Sequence, residues 1–469
     1  AIFAGSALAG GMSRQERLGM IKRVEKKIEE IGLREAQTND SGDLGWGEGP
    51  ILAAMVNMYE ATGDRKWLDL IKQHVDTAFS FLDDHDKDGF LSWHTDYYTP
   101  EPAHLKASAS PGNRGTGKIE VLESVVPGKG PGKGGYWSYR MLGHPLRVIF
   151  LDRKRFCVVD EDMHMPALVS PFVRSGLHWS SILKYEPGKA VWRKIRGVKF
   201  TITGQPEPGD SFYIECTPAP EYDYVVHDGM MTMPIARFIQ IVLSNPELKS
   251  RYGETAKGYL AFLERHFFDK WDKKRWIELP GGRGLYYWPK TKWRPKRSLP
   301  MNQYTAFGRT IIRLYQITKK PKYLDRATKM ARMVKSLLKV KNDAYWWYYC
   351  EPVAKWDGSG KPTSAEHTHY ADMDVGFMID AYEAGIVFTK ADMQKLTNTF
   401  IKVMWNKSLE NPTVAGAVDG SNGTSRHLCD FVRLAQFDPR VWTICYKINR
   451  KSSSVSFLAQ ILACEKYAK

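Results

Sequence analysis

Apolar residues recur at helical spacing over both ends of the chain, and the pattern breaks in between. Residues 13–32 open with Ser13 and carry Glu16 three positions on, a capping-box pattern. Leu18, Ile21, Val24, Ile28 and Ile31 then share one face, which predicts an amphipathic helix. A second helix is expected over 48–62, a break at Gly63-Asp64, and a third over 65–82. The string YEATGDRKWLD at 59–69 has a counterpart, YQITKKPKYLD, at 315–325. Both run into amphipathic stretches, 70–82 and 326–338. Looser copies lead from VLSNP (242–246) into 247–265 and from YEAG (382–385) into 390–405. Repeated helix hairpins stack on one another, as an open solenoid or a closed ring. The uneven spacing of the copies favours the ring, an α/α toroid with long loops on one face.

The middle of the chain reads differently. Residues 95–225 are rich in Gly and Pro and hold extended runs such as VKFTIT (198–203) and FYIEC (212–216). The expected organisation is therefore mainly α: first hairpins over 1–94, a Gly-rich, partly β elaboration of the toroid mouth over 95–225, and the remaining hairpins over 226–469. A separate small β domain is the alternative for the middle.

Composition narrows the function. With 43% apolar and 26% charged residues, a disordered chain is excluded. The net charge of +16, with 15 Trp, 23 Tyr and 20 Phe, points to a polyanionic partner met by bases and aromatic platforms. Residues 270–297 concentrate this, with ten bases against Asp272 and Glu278, interleaved with Trp271, Trp276, Tyr286, Tyr287, Trp288 and Trp293. Arg297, with Arg294 and Lys296, belongs to that expected groove. No nucleic-acid-binding motif accompanies it, so nucleic acid is not the expected partner. Walker A, dinucleotide-loop and GxSxG patterns are missing too. No apolar run is long enough to span a membrane. The small apolar opening, AIFAGSALAG, reads as the remainder of a cleaved secretory signal, hence a secreted or periplasmic protein. The six cysteines show no metal or framework spacing, leaving one or two bridges, or none, open. Nothing in the pattern specifies an oligomeric state.

Four polar clusters sit at helix entries: Trp46 and Glu48; His227 in VHDG; Asn302 and Tyr304 in LPMNQY, with Arg309 beyond; and EHTHYADMD (366–374), with His367, His369 and Tyr370. In a toroid such entries converge on one mouth, which makes these the candidate site. No cofactor is required by the pattern. Two places have the residue types of a cation site: Asp84, Asp86 and Asp88, matching the start of a calcium loop but with Thr95 where Glu is expected, and the HxH of His367 and His369.

The strings LPMNQYTAFGR…LYQITKKPKYLDRA and HTHYADMDVGFMIDAYEAGIVFTKADM resemble α/α-toroid lyases of uronic-acid polymers. The similarity is to the glucuronan and alginate lyases, and to the related C-terminal domain of glucuronyl C5-epimerases, over about 46–85 and 226–410. It implies β-elimination on an anionic polysaccharide. That chemistry needs the uronate carboxylate neutralised, a base for the C5 proton and an acid for the leaving oxygen. The resemblance implies Tyr304 as base and acid with His227 as its partner. It leaves Asn302, Arg309 and His369 to neutralise the carboxylate, with Tyr370 a rival tyrosine. A tyrosine base needs nearby positive charge to lower its pKa, expected here from 270–297. The alternatives are a hydrolase of the same fold using carboxylates from Glu48, Glu366, Asp372 and Asp374, an epimerase, or a non-catalytic polyanion binder.

Overall fold

The computed structural model describes residues 11–95, 104–124, 146–160, 165–166, 182–193, 198–217, 221–288, 297–353 and 361–468. The chain folds as two compact units. One comprises Ala1–Trp93, Asp223–Lys290 and Lys296–Lys469; the other comprises His94–Tyr222 with Thr291–Pro295.

The first unit is mainly helical, and local chemistry sets its helix ends. Ser13 and Glu16 form the capping box that starts Arg14–Ile31, whose buried stripe is Met20, Val24 and Ile28. Leu18, expected on that face, is 49% exposed, because the buried stripe runs one residue away from it. The two copies of the repeat end their helices in the same way. Gly63 and Lys319 both take a left-handed conformation, with φ of 70° and 57°. Their N–H groups donate to Tyr59 and Tyr315, each at 2.8 Å. Thr62 and Thr318 back-bond to Met58 and Leu314 at 2.6 and 2.7 Å. Trp67 and Tyr323 then bury the start of the following helix.

The packing follows a fixed order. Helix Gly49–Thr62 packs on Val225–Ser244, that helix on Met301–Thr318, and that one on Thr368–Glu383. Thr368–Glu383 meets the short turn Phe431–Gln436, which meets Val455–Cys464, which packs back on Gly49–Thr62. Each of these six segments carries a partner: Lys66–Phe79, Pro246–Phe262, Pro321–Leu337, Lys390–Asn398, Arg440–Asn449 and Arg14–Ile31, respectively. The first set is buried on most sides. Met301–Thr318, for example, buries Ala306, Phe307, Ile311, Ile312 and Leu314 along with polar Asn302, Thr305 and Arg309. The partner helices bury one stripe each, as Tyr323, Ala327, Met330, Ala331 and Val334 do in Pro321–Leu337. Close approach relies on small residues: a Cβ on Gly229 would stand 2.4 Å from the Phe307 backbone N.

The second unit is β. A six-stranded antiparallel sheet and a three-stranded one share a core of Leu146, Val148, Phe150, Phe156, Val158, Phe200, Ile202, Phe212 and Ile214. The runs read as extended fall in strands Val198–Thr203 and Ser211–Thr217. Asp210 closes one loop of this unit, accepting from the backbone N–H groups of Arg114, Gly115 and Glu207. Among the described residues this unit contains no helix. The five cysteines whose side chains are described, Cys157, Cys350, Cys429, Cys445 and Cys464, are free thiols. No helix among the described residues is long and apolar enough to cross a membrane.

Candidate functional site

The first turns of Met301–Thr318 and Thr368–Glu383 enclose a buried polar cluster. Tyr304 is 1% exposed, and its hydroxyl has no hydrogen-bond partner among the described residues. Asn302 Oδ1 and Glu366 Oε2 are buried and unpartnered in the same sense. Asp374 is fully buried and bonded by Thr305 at 2.7 Å and by the Trp347 indole at 2.9 Å. Glu366 accepts from the His367 backbone N–H at 3.0 Å.

These groups titrate far from their ordinary ranges. Burial, and then the negative charges of Asp374, Cys350, Glu366 and Glu351, push Tyr304 well above the usual phenol value. The expectation of a tyrosine activated by positive charge is thus reversed: its surroundings are acidic and dry. Burial, followed by Asp374, also raises Glu366. Asp374 is pushed up to about 7 by burial, against the pull of the Thr305 and Trp347 hydrogen bonds. At neutral pH the floor of the cluster therefore consists of protonated or half-protonated groups.

A rim of rings surrounds the entrances of the same helices. His369 is exposed, with the Tyr370 ring 3.8 Å away and His367 and His427 each at 5.9 Å between centroids. Partial desolvation of its ring among these neighbours, then the His427 and His367 charges, lower His369 to about 4, so it is a neutral imidazole at pH 7. The Tyr349 ring lies tilted against Tyr370 at 5.5 Å between centroids, and its carbonyl accepts the Met301 N–H. On the Val225–Ser244 side, His227 Nδ1 lies 2.9 Å from the Ser41 hydroxyl. The half-exposed Trp46 meets the His227 ring edge-on at 5.8 Å. Gly45 permits this approach, since a Cβ there would stand 2.9 Å from the His227 Cα.

Other expected site residues are placed elsewhere. Arg309 cannot neutralise a substrate carboxylate, because its guanidinium is buried and spent on Asp380 (2.7 Å) and Asp430 (2.6 and 3.0 Å). Glu48 is fully buried and bonded to His74 at 2.8 Å, so it faces the core rather than a cleft. Asp372 turns away from Asp374 and accepts the Asp430 and Phe431 N–H groups. The two carboxylates do diverge along their helix, as their spacing requires.

The basic segment is only partly a surface. Lys270 is wholly buried, 3.0 Å from Asp228. Trp271, Tyr286 and Trp288 are buried too, which corrects the expectation that they are stacking platforms. Arg297 pairs through its backbone with Trp288, its side chain lying outside the described residues. Lys290, Lys292, Trp293, Arg294 and Lys296 are also outside them.

For the calcium-like loop, the ligand atoms of Asp84, Asp86 and Asp88 gather within 4.8 Å of one another. The Lys274 ammonium pairs with Asp86 at 2.8 Å and with Asp88, so the chain supplies its own cation there. Among the described residues, His367 and His369 join no group of three ligand atoms close enough to share an ion. Sequence reasoning missed His427, which stands alone in a polar loop. It also passed over Trp347 and Tyr349, although the aromatic run 345–349 (YWWYY) was a visible signal.

No family model matches the chain, and no curated protein matches it. Among solved structures, FlgL from Xanthomonas campestris is similar at 15% identity over 48% of this chain and 79% of that one, with a TM-score of 0.17. The flagellar junction protein FlgL from Legionella pneumophila gives 12% identity over 48% and 79%, with a TM-score of 0.16. A family 76 glycoside hydrolase from a bovine Bacteroides thetaiotaomicron strain gives 16% identity over 52% and 55%, with a TM-score of 0.32. At these scores none of the likenesses bears on fold or activity.

Proposed function

We propose that the chain is an α/α-toroid lyase that cleaves a uronate-containing polysaccharide of the glucuronan or alginate type by β-elimination. The packing order of the inner helices, which returns to its start, supports the toroid. So does one cavity that takes Glu60, Gln240, Arg309, Glu383, Gln436 and Gln460 from the six successive segments of that order.

The observation that carries the activity is the unsatisfied hydroxyl of buried Tyr304 within the field of Glu366, whose Oε2 is likewise unpartnered. Buried polar groups are nearly always hydrogen-bonded, and an orphaned set at one place marks where a bound ligand completes the bonding. Tyr304, held above its ordinary pKa, keeps its proton and donates it to the departing glycosidic oxygen. The neutral imidazole of His369, on the adjacent helix, takes the C5 proton. The C4–O bond breaks as the C4=C5 double bond forms. Protonated Glu366 donates to the uronate carboxylate in place of a cation, and Asn302 Oδ1 accepts from a sugar hydroxyl. The half-exposed Trp46, held edge-on by the buried His227, offers its face to the bound sugar.

The test is incubation of the full chain with a panel of glucuronan, alginate and neutral glycans. Ultraviolet absorbance of an unsaturated uronide on an acidic polymer is the expected result. Its absence across all uronate polymers removes the lyase. A second reading, a glycoside hydrolase, draws on the adjacent raised carboxyls of Glu366 and Asp374, since a hydrolase also needs a proton-bearing carboxyl. New reducing ends without absorbance decide for it.

A further inference from the structure

About 13 Å along the Met301–Thr318 axis from Tyr304, nine residues on, Arg313 reaches a cavity of quite different character. Its volume is about 320 Å³, and its cations are Arg237, Arg309, Arg313, Arg433 and Lys466. The carboxylates facing them are Glu60, Glu383 and Asp430, with Asp380 directly behind. Five positive charges thus meet four negative ones.

The hydrogen bonds are uneven as well. Arg309 spends its donors on Asp380 and Asp430, and Arg433 bonds Asp380 at 2.8 Å and Glu383 at 3.1 Å. Arg313 gives one terminal nitrogen to Asp380 at 2.7 Å and the other to Gln316 at 2.9 Å. Its Nε is buried with no partner among the described residues. Arg237 gives one nitrogen to Glu60 at 2.7 Å. Lys466 makes no ion pair or hydrogen bond among the described residues; its charge acts on Glu60 from a distance, and its ammonium stands 5.1 Å from the Tyr467 ring. Burial holds Arg313 below the ordinary guanidinium range against the pull of Asp380, and the Arg433 and Arg237 charges add to the lowering. Burying a guanidinium with an idle donor is costly unless an acceptor completes it.

We propose that this cavity binds a compact oxyanion, through Arg313 Nε, Arg237 and Lys466. Phosphate and the carboxylate of a monosaccharide acid share the required chemistry, and the volume admits either. The site is independent of the β-elimination reading, because none of these three residues contributes to the Tyr304 cluster.

Isothermal titration of the full chain, with ionic strength held constant by sodium chloride, tests it in two arms: sodium phosphate and sodium glucuronate. One-to-one binding is expected in at least one arm, and the tighter arm identifies the source. Arg313→Gln should weaken that binding at least about tenfold, which equals about 1.4 kcal/mol. Lys466→Gln, at an exposed position, should weaken it severalfold with melting unchanged. It serves as the variant of record if Arg313→Gln does not fold. Heats equal to the chloride blank in both arms overturn the proposal. So does binding that is equal in wild type and in every folded variant, which is the behaviour of an adventitious ion only.

Discussion

Tyr304→Phe separates chemistry from stability because the two should move in opposite directions. The substitution removes one oxygen and keeps the ring packed among Asp374, Cys350 and Glu366. An ordinary buried tyrosine loses a hydrogen bond in this exchange and with it about 1 kcal/mol. Tyr304 has no such bond to lose among the described residues. It instead carries the desolvation cost of an idle hydroxyl, about 1–3 kcal/mol, which phenylalanine removes. The unliganded variant should therefore be more stable by roughly 1 kcal/mol, a rise in Tm of about 1–2 °C for a unit of this size. Turnover on the preferred polymer should fall at least about a thousandfold, roughly 4 kcal/mol of transition-state stabilisation. Stability is read by denaturant unfolding without substrate, turnover by uronide absorbance. A variant that is less stable by about 1 kcal/mol and nearly fully active would show a satisfied structural tyrosine and refute the reasoning. Gains in stability at the expense of activity are the usual mark of a functional residue kept in an unfavourable state.

Arg309→Met should cost about 3 kcal/mol in denaturant unfolding, since it removes a buried partner of Asp380 and leaves the part-buried Asp430 only Arg433 at 3.4 Å; normal stability with lost turnover would return Arg309 to the substrate. Asp372 is raised to about 8, chiefly by burial and next by Asp430, from an unfolded value of about 4, so its contribution to stability is full below about pH 4 and is lost as pH rises toward about 8. Asp372→Asn keeps an acceptor for the two backbone N–H groups and should flatten the fall in stability between about pH 5 and 8, measured by unfolding across pH; an unchanged slope excludes Asp372 as its source. Lys319→Gly should stabilise by about 0.5–1 kcal/mol, because the left-handed cap that Gly63 occupies without strain is held here by a side-chain-bearing residue. A loss of stability instead would mean that the Lys319 side chain, which lies over Tyr315, outweighs the backbone strain.

Helix positions were legible because their causes are local. The capping box of Ser13 and Glu16 and the Asn245 and Thr389 caps lie within a few residues of what they stabilise. The matching helix ends at Gly63 and Lys319 follow from a repeat in the sequence itself. The residue types of the cluster were visible too, as polar groups at helix entries. Their electrical state was not. Whether Arg309 meets substrate or Asp380 depends on a helix 71 residues further along the chain. Whether Tyr304 is a ready base or a retained acid depends on how deeply it is buried and on carboxyls from another segment. The bases of 270–297 looked alike in the sequence, yet Lys270 became the buried partner of Asp228. Periodicity and capping act over one or two helical turns and are written in order along the chain. Charge state and access depend on desolvation and on neighbours brought in from far away, and these exist only once the helices have packed.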